Sequence, residues 1–232
     1  MSEKRWIPLE SNPQVFNRFC KGLGLPTEKW SFSELFGVDP DLLSFAPTPV
    51  LAVLLLYPMS KNIKEFGKKQ KIEIETKGQE VSKNLWYVKQ NIGNACGTIG
   101  LIHAIMNNMQ TINAQGFLKE FYDKTKDLNP EERAKLLEES DEIQDQHDKS
   151  SKEGDTTPPD PNERVEYHFI SFVNVDDSIY EMDGRKAFPI NHGKTSRLSF
   201  LQDAADVIKK KFMDLDPQEI HFTLNILAPS VF

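Results

Sequence analysis

The stretch YVKQNIGNACGTIGLIHAI, Tyr87–Ile105, decides how this chain is read. From Ala95 onward it predicts a helix. Ile99, Leu101, Ile102 and Ile105 make that helix apolar nearly all round, so it belongs in the middle of a fold. Asn94 stands where an N-cap would stand. Cys96 then falls in the first turn, where unpaired N–H groups and the helix dipole favour a thiolate. Gly97 and Gly100 carry no side chain, so another backbone can approach that face. A buried helix ending in a thiolate is how a cysteine hydrolase presents its nucleophile. A core cysteine in a glycine-rich turn is the alternative, and the helix alone leaves both open.

A thiolate nucleophile needs a base. His103 is seven residues on, roughly 10 Å along the axis, too far for a hydrogen bond, and reads as a core or supporting histidine. His147 and His192 are expected in polar loops, and His221 in the last strand. His168 differs. In YHFISFV it shares a strand face with Ile170 and Phe172, as a satisfied core group or a positioned base. VEYHFISFVNV and SIYEMDG predict a hairpin turning at Asp176–Asp177. That register sets Asp183 within about two positions of His168, close enough to orient the ring. Gln90, six residues before Cys96, can add a side-chain N–H to the Cys96 backbone N–H as donors to an oxyanion. The order Gln, Cys, His, Asp is the papain-like order, and the four together point to thiol hydrolysis.

Outward from these blocks, SNPQVFNRFCKGLGL predicts a helix with Asn12 as cap, Pro13 in the first turn, Cys20 in the core and Gly24 as stop. PVLAVLLLYP predicts a buried strand around Val50–Tyr57, and NLWYVKQ a short strand leading into the Cys96 helix. Lys61–Ser82 reads as a short helix or an exposed excursion. Helices are expected over about Asn113–Asp127 and Pro130–Ile143, an amphipathic helix in RLSFLQDAADVIKKKFM, and a closing strand in EIHFTLNIL. No internal repeat is present. Ser140–Arg164 has one aliphatic residue, Ile143. From Asp145 onward it is expected to bury nothing and to be mobile, a lid within one domain spanning residues 1–232.

The 232 residues are ample for a core, and 38% hydrophobic with 27% charged residues is a globular composition. A net charge of −7 without a basic stripe argues against nucleic acid. It suits a basic partner, or serves solubility alone. Two cysteines without a CxxC pair exclude a disulfide framework and a zinc site, and reduced thiols point to cytoplasm or nucleus. No signal-peptide pattern opens the chain, and the longest apolar run is too short to span a bilayer. No metal or organic cofactor is expected, and the chain is read as a monomer.

KQNIGNACGTIGLIHAI and YHFISFV…YEMDGRKAFPINHG closely resemble the active-site blocks of the ubiquitin carboxyl-terminal hydrolases. RWIPLESNP resembles their N-terminal block, and DPDLLSFAPTPVLAVLLLYP the strand that follows. The resemblance runs over about residues 5 to 228 and is to the small type without a C-terminal extension. It implies an α+β, papain-like cysteine protease fold with a central, mostly antiparallel sheet, flanking helices and a knotted backbone. It implies Cys96 as nucleophile, His168 as base, Asp183 as its orienter, Gln90 in the oxyanion hole, and an active-site crossover loop at about 146–164. The implied substrate is ubiquitin carrying a small adduct on its C-terminal glycine. Glu10 matches a tail-contacting acid, and Glu34 falls near a second, where LPTEKW carries one extra residue. A Cys–His–Asp acyltransferase and a ubiquitin-binding module with weak hydrolysis are the competing readings.

Overall fold

The run AVLLLYP forms a strand, Ala52–Pro58, that is apolar nearly throughout because both of its faces are covered. The structure, a computed structural model, describes residues 4–160, 163 and 165–231. In chain order its elements are α1 (Pro13–Leu23), β1 (Trp30–Leu35), α2 (Pro40–Leu43), β2 (Ala52–Pro58), α3 (Lys61–Lys77), α4 (Cys96–Met106), α5 (Met109–Ile112) and α6 (Gly116–Thr125). There follow α7 (Pro130–Glu138), α8 (Asp141–Ser150), β3 (Tyr167–Val175), β4 (Ser178–Met182), β5 (Ile190–Lys194), α9 (Phe200–Lys211), a 3-10 turn at Met213–Leu215 and β6 (Thr223–Pro229). The strands form one sheet in the order β1-β6-β2-β3-β4-β5, with every neighbouring pair antiparallel. Period-2 alternation sorts the side chains. Ala52, Leu54, Phe169 and Val173 join the core that holds α1 and α4. Val53, Leu55, Ile170 and Phe172 join the core that holds α9. The chain is thus α+β, and α4 lies against β3 and β2 with every residue from Cys96 to Met106 buried.

Local chemistry accounts for most elements. Asn12 caps α1 by accepting from the Gln14 N–H at 2.9 Å, Pro13 opens it, and Gly24 closes it at a φ of 112°. Cys20 is fully buried. Asp176 and Asp177, with φ of 49° and 54°, make the left-handed two-residue turn that matches the twist of β3 and β4. Lys61–Lys77 is one helix of 17 residues capped by Ser60.

Several expectations fail for identifiable reasons. NLWYVKQ is no strand. Its backbone is satisfied by side chains and loops: Asn107 brackets Trp86 at 2.8 Å on both N–H and C=O, and Arg133 donates to the Tyr87 carbonyl at 3.0 Å. The Val88 N–H donates to His103 Nε2 at 3.0 Å. The helix expected over Pro130–Ile143 breaks at Ser140, which caps α8 by accepting from the Ile143 N–H. β1 and β5 are edge strands that their mixed sequences do not announce.

The largest correction concerns the segment after Asp145. Residues 141–150 are a helix, and Ile143, His147 and Ser150 are buried at i, i+4 and i+7. α8 packs against α1. A polar-looking sequence hides the stripe, because two of its three members are polar, and the partners of His147 (Thr98 and Ile7) lie far away in the chain. Of the expected strap, Pro161, Asn162 and Arg164 lie outside the described residues, as do Met1–Glu3 and Phe232 of the expected 1–232 domain.

Candidate active site

Cys96 is the first residue of α4, 7% exposed and not in a disulfide. The cap is Ala95, so the expected Asn94 cap is one residue off. Asn94 takes a left-handed turn at φ 61° and reaches the Trp6 carbonyl at 3.2 Å. That turn is tied to the N-terminal segment by a bridge between Arg5 and Gly93, with Trp6 N–H donating to Gly93 C=O at 2.9 Å. As first residue of the helix, Cys96 leaves its own N–H without an intrahelical partner.

His168 lies near the start of β3 and is 1% exposed. The ladder runs Val175↔Ser178 to Ser171↔Met182. Carried on, it sets Arg185 across from His168 and Asp183 two residues away. The chain leaves the ladder after Met182, and Asp183 Oδ1 meets His168 Nε2 at 2.8 Å. The Arg185 N–H donates to the same oxygen at 2.9 Å. That leaves Nδ1 of the imidazole, buried and without a settled protein hydrogen bond, to meet the Cys96 thiol.

The three groups shift one another. Burial pushes the Cys96 thiol up, but His168, then Arg185 and the Phe169 N–H, pull it below its ordinary value. Burial pushes His168 down, but the Asp183 carboxylate and the thiol raise it to about 9. Burial pushes Asp183 up, and His168, Lys186 and the Arg185 N–H bring it down to about 2. The directions of all three shifts favour a thiolate beside an imidazolium held by a carboxylate.

Gln90 precedes this helix on an extended segment pinned by its N–H to the Gly184 carbonyl at 2.9 Å. One side-chain N–H donates to the Ile92 carbonyl at 2.9 Å, and the amide's second N–H remains for another acceptor. Gly184 wedges between Gln90 and α4: a Cβ there would stand 2.9 Å from Ile99 Cγ2 and 3.0 Å from Gln90 Cβ. Of the two helix glycines, Gly97 sits in the close approach, where a Cβ would be 3.2 Å from Leu9 Cβ, while Gly100 has ordinary clearance. The roles of Gly184, Arg185 and the Phe169 N–H were not read from the sequence. The DGR triplet after the aspartate was their one visible signal.

The remaining histidines divide. His103 is fully buried, stacked on Tyr87 at 5.2 Å, and burial drives it down to about 3. His147 is not in a polar loop. It is buried on α8, with Nδ1 on Thr98 Oγ1 at 2.8 Å and Nε2 on the Ile7 carbonyl at 2.7 Å. It thereby ties α8 to α4 and to the N-terminal segment. His192 is on β5, bonded to buried Glu181 at 2.8 Å. His221 precedes β6 and pairs with Glu219.

Glu10 is engaged by the strap. Its carboxylate accepts the Thr156 N–H at 2.8 Å, the Asp155 N–H at 3.2 Å and the Thr156 hydroxyl. Its slight burial raises its pKa, and these bonds outweigh that and lower it. Asn12 Nδ2 donates to Asp155 at 3.0 Å, and Arg18 pairs with Glu153 at 2.8 Å. The strap is therefore anchored as far as Thr156. Glu34 is exposed on edge strand β1, opposite Asn225, whose amide donates to Ser11 Oγ at 3.1 Å.

An antiparallel sheet whose central helix delivers a thiol to an imidazole–carboxylate pair defines a papain-like cysteine hydrolase. The profile of Ubiquitin carboxyl-terminal hydrolase, family 1 (Peptidase_C12) matches residues 6–213, and the chain belongs to that family. It is 45% identical over 225 residues to a probable ubiquitin carboxyl-terminal hydrolase of Dictyostelium discoideum, covering 96% of this chain and 88% of that one. It is 43% identical to ubiquitin carboxyl-terminal hydrolase isozyme L1 of Rattus norvegicus, covering 93% and 95%. The fold is similar to that of the Trichinella spiralis UCH37 catalytic domain bound to ubiquitin vinyl methyl ester. That match has a TM-score of 0.76 at 24% identity and covers 100% and 98% of the two chains.

Proposed function

We propose that this protein is a deubiquitinating thiol hydrolase that removes short peptides and small adducts from the C-terminal glycine of ubiquitin. The observation that carries the reading is the Cys96 thiol at the start of a buried helix, beside an imidazole whose far nitrogen is held by Asp183 at 2.8 Å. Thiolate Cys96 attacks the glycine carbonyl. The Cys96 N–H and the free N–H of Gln90 stabilise the oxyanion. Imidazolium His168 gives its proton to the leaving amine, then draws one from water as that water releases the acyl-enzyme. Asp183 holds the ring and its charge throughout.

Glu10 and Glu34 supply negative charge for a basic C-terminal tail. Glu10 is bonded to Thr156 in the free protein, so tail binding exchanges that strap contact for a cationic side chain. The strap limits leaving groups to those that pass beneath it, within one catalytic domain.

A turnover assay on a fluorogenic ubiquitin C-terminal amide tests the reading. Hydrolysis by the wild type and none by Cys96→Ala is expected. Tight ubiquitin binding with no turnover overturns it in favour of a binding module, and an amine acceptor that outcompetes water overturns it in favour of acyl transfer. Inserting Gly/Ser residues after Thr156 should raise the ratio of di-ubiquitin to small-amide cleavage. Added length costs roughly 0.6 kcal/mol per doubling, so the fold survives.

A further inference from the structure

A cleft of about 380 Å³ lies between α3 and the segment Arg185–Ile190. Asp183 forms part of its wall, so it backs onto the triad, while Cys96 and Gln90 do not line it. Its walls are mainly apolar and include Ile63, Phe66, Phe188 and Phe212. This is the size and character of a small-molecule site.

Three features of the cleft are unexplained by folding. The first is charge. The chain carries a net −7, yet Lys64, Lys68, Lys71, Arg185 and Lys186 border this cleft against the single carboxylate of Asp183, which is already held by His168. Lys71 has a loose exposed pair with Glu75 at 3.7 Å, and Lys186 is bonded to Glu181 and Gln70. The side chains of Lys64, Lys68 and Arg185 have no ion-pair partner among the described residues. The second is Tyr57. It is 3% exposed and lines the cleft, and its hydroxyl makes no hydrogen bond among the described residues. The hydroxyl oxygen is not sealed from solvent, so it offers the cleft a donor for an acceptor on a ligand.

The third is Gly67. It sits mid-helix in α3, where glycine is disfavoured relative to alanine. Nothing lies within 4 Å of a Cβ built there, so packing does not demand it. Its effect is to leave the cleft open.

We infer that this cleft is a second binding site, for an amphiphilic monocarboxylate whose apolar body lies along Ile63, Phe66, Phe188 and Phe212 and whose head group meets the lysine rim and the Tyr57 hydroxyl. Uncharged and cationic amphiphiles would find the apolar walls but not the head-group partners.

The test is calorimetric titration of the whole protein with decanoate below its micellar range, beside decanol and decyltrimethylammonium. Saturable one-to-one binding of decanoate is expected, with both other amphiphiles weaker by about tenfold, the scale of losing a few partly exposed charged contacts. Gly67→Trp should fill the cleft and abolish binding while hydrolysis of the fluorogenic amide is unchanged. The double variant Lys64→Glu/Lys68→Glu, which does not fill the cleft, should weaken decanoate by about tenfold. Absence of saturable binding, equal binding of the three amphiphiles, or decanoate binding that survives Gly67→Trp would each overturn the inference.

Discussion

His168 and His103 are both buried, one facing the helix that carries Cys96 and the other part of it, and they are driven in opposite directions, to about 9 and to about 3. Burial lowers each of them, so burial cannot be what separates them. The partner does. His168 Nε2 faces a carboxylate at 2.8 Å, which needs the ring to donate and rewards positive charge. His103 Nε2 receives the Val88 N–H at 3.0 Å, which needs a lone pair and a neutral ring. His147 follows His103, falling to about 4 under burial, with its ring between Thr98 and a backbone carbonyl. His103 and His147 are held in structural contacts, whereas His168 has the carboxylate partner that its proposed proton-transfer role needs.

The strongest way to break the contrast is at the thiol. Cys96→Ala should abolish hydrolysis of the fluorogenic amide and leave ubiquitin affinity nearly intact, while Cys20→Ala stays active. The reverse pattern would refute the assignment.

Removing the charge that separates the two rings should come next. Asp183→Asn turns the environment of His168 toward that of His103. A fall in kcat of about 10²–10⁴ is expected, the range for general acid–base catalysis. The profile should change shape as well. In the wild type the imidazolium persists until pH rises through about 9. In Asp183→Asn the alkaline limb should move to lower pH. An unmoved limb would show that Asp183 does not set the charge on the ring.

Gln90→Ala leaves the histidine pair alone and removes a proposed oxyanion donor. It should lower kcat by about 10²–10³ with KM nearly constant. A change in KM alone would place Gln90 in binding instead.

The smallest effect is on stability, and its sign sharpens the comparison. His103 and His147 have folded values below the ordinary 6.5, so the unfolded chain binds more protons as pH falls from about 6.5 towards 4. Stability should fall with acid in that window, by about 1 kcal/mol per pH unit for each ring. His168 is opposite: its raised value stabilises the fold fully below 6.5, and that contribution is lost as pH rises through about 9. Asp183 stabilises above about 4 and loses its contribution only as pH falls through about 2. Urea melts at pH 4.5, 5.5 and 6.5 check the acid limb, and His147→Gln should flatten it. An equal slope in that variant would place the acid sensitivity elsewhere.

Much of the site could be read from the chain because the constraints there are local. An all-apolar helix with a thiol in its first turn, a two-aspartate hairpin that fixes register, and an aspartate within two positions of the facing histidine are all short-range patterns. They set Cys96, His168 and Asp183 before any long-range contact is known. The reading of His147 failed for the converse reason. Its partners, Thr98 and Ile7, are distant in sequence, and a polar residue satisfied by distant groups is indistinguishable in one dimension from a solvated one. The same blindness hid α8 and misread NLWYVKQ, whose backbone partners are the side chains of Asn107, His103 and Arg133.

By itself the sequence set the central helix and the hairpin turn and singled out Cys96, His168, Asp183 and Gln90 as candidate reacting groups, from periodicity, turn chemistry and spacing over a few residues. The α+β class came from the resemblance of its motifs. Only the tertiary structure decided that Asp183 leaves the ladder to reach His168, that Gly184 fits between Gln90 and α4, that Glu10 holds the strap at Thr156, and which buried histidine is driven towards its charged form. Those outcomes depend on which groups meet across the fold, and in a buried site a single partner at hydrogen-bond distance outweighs the intrinsic preference of the residue itself.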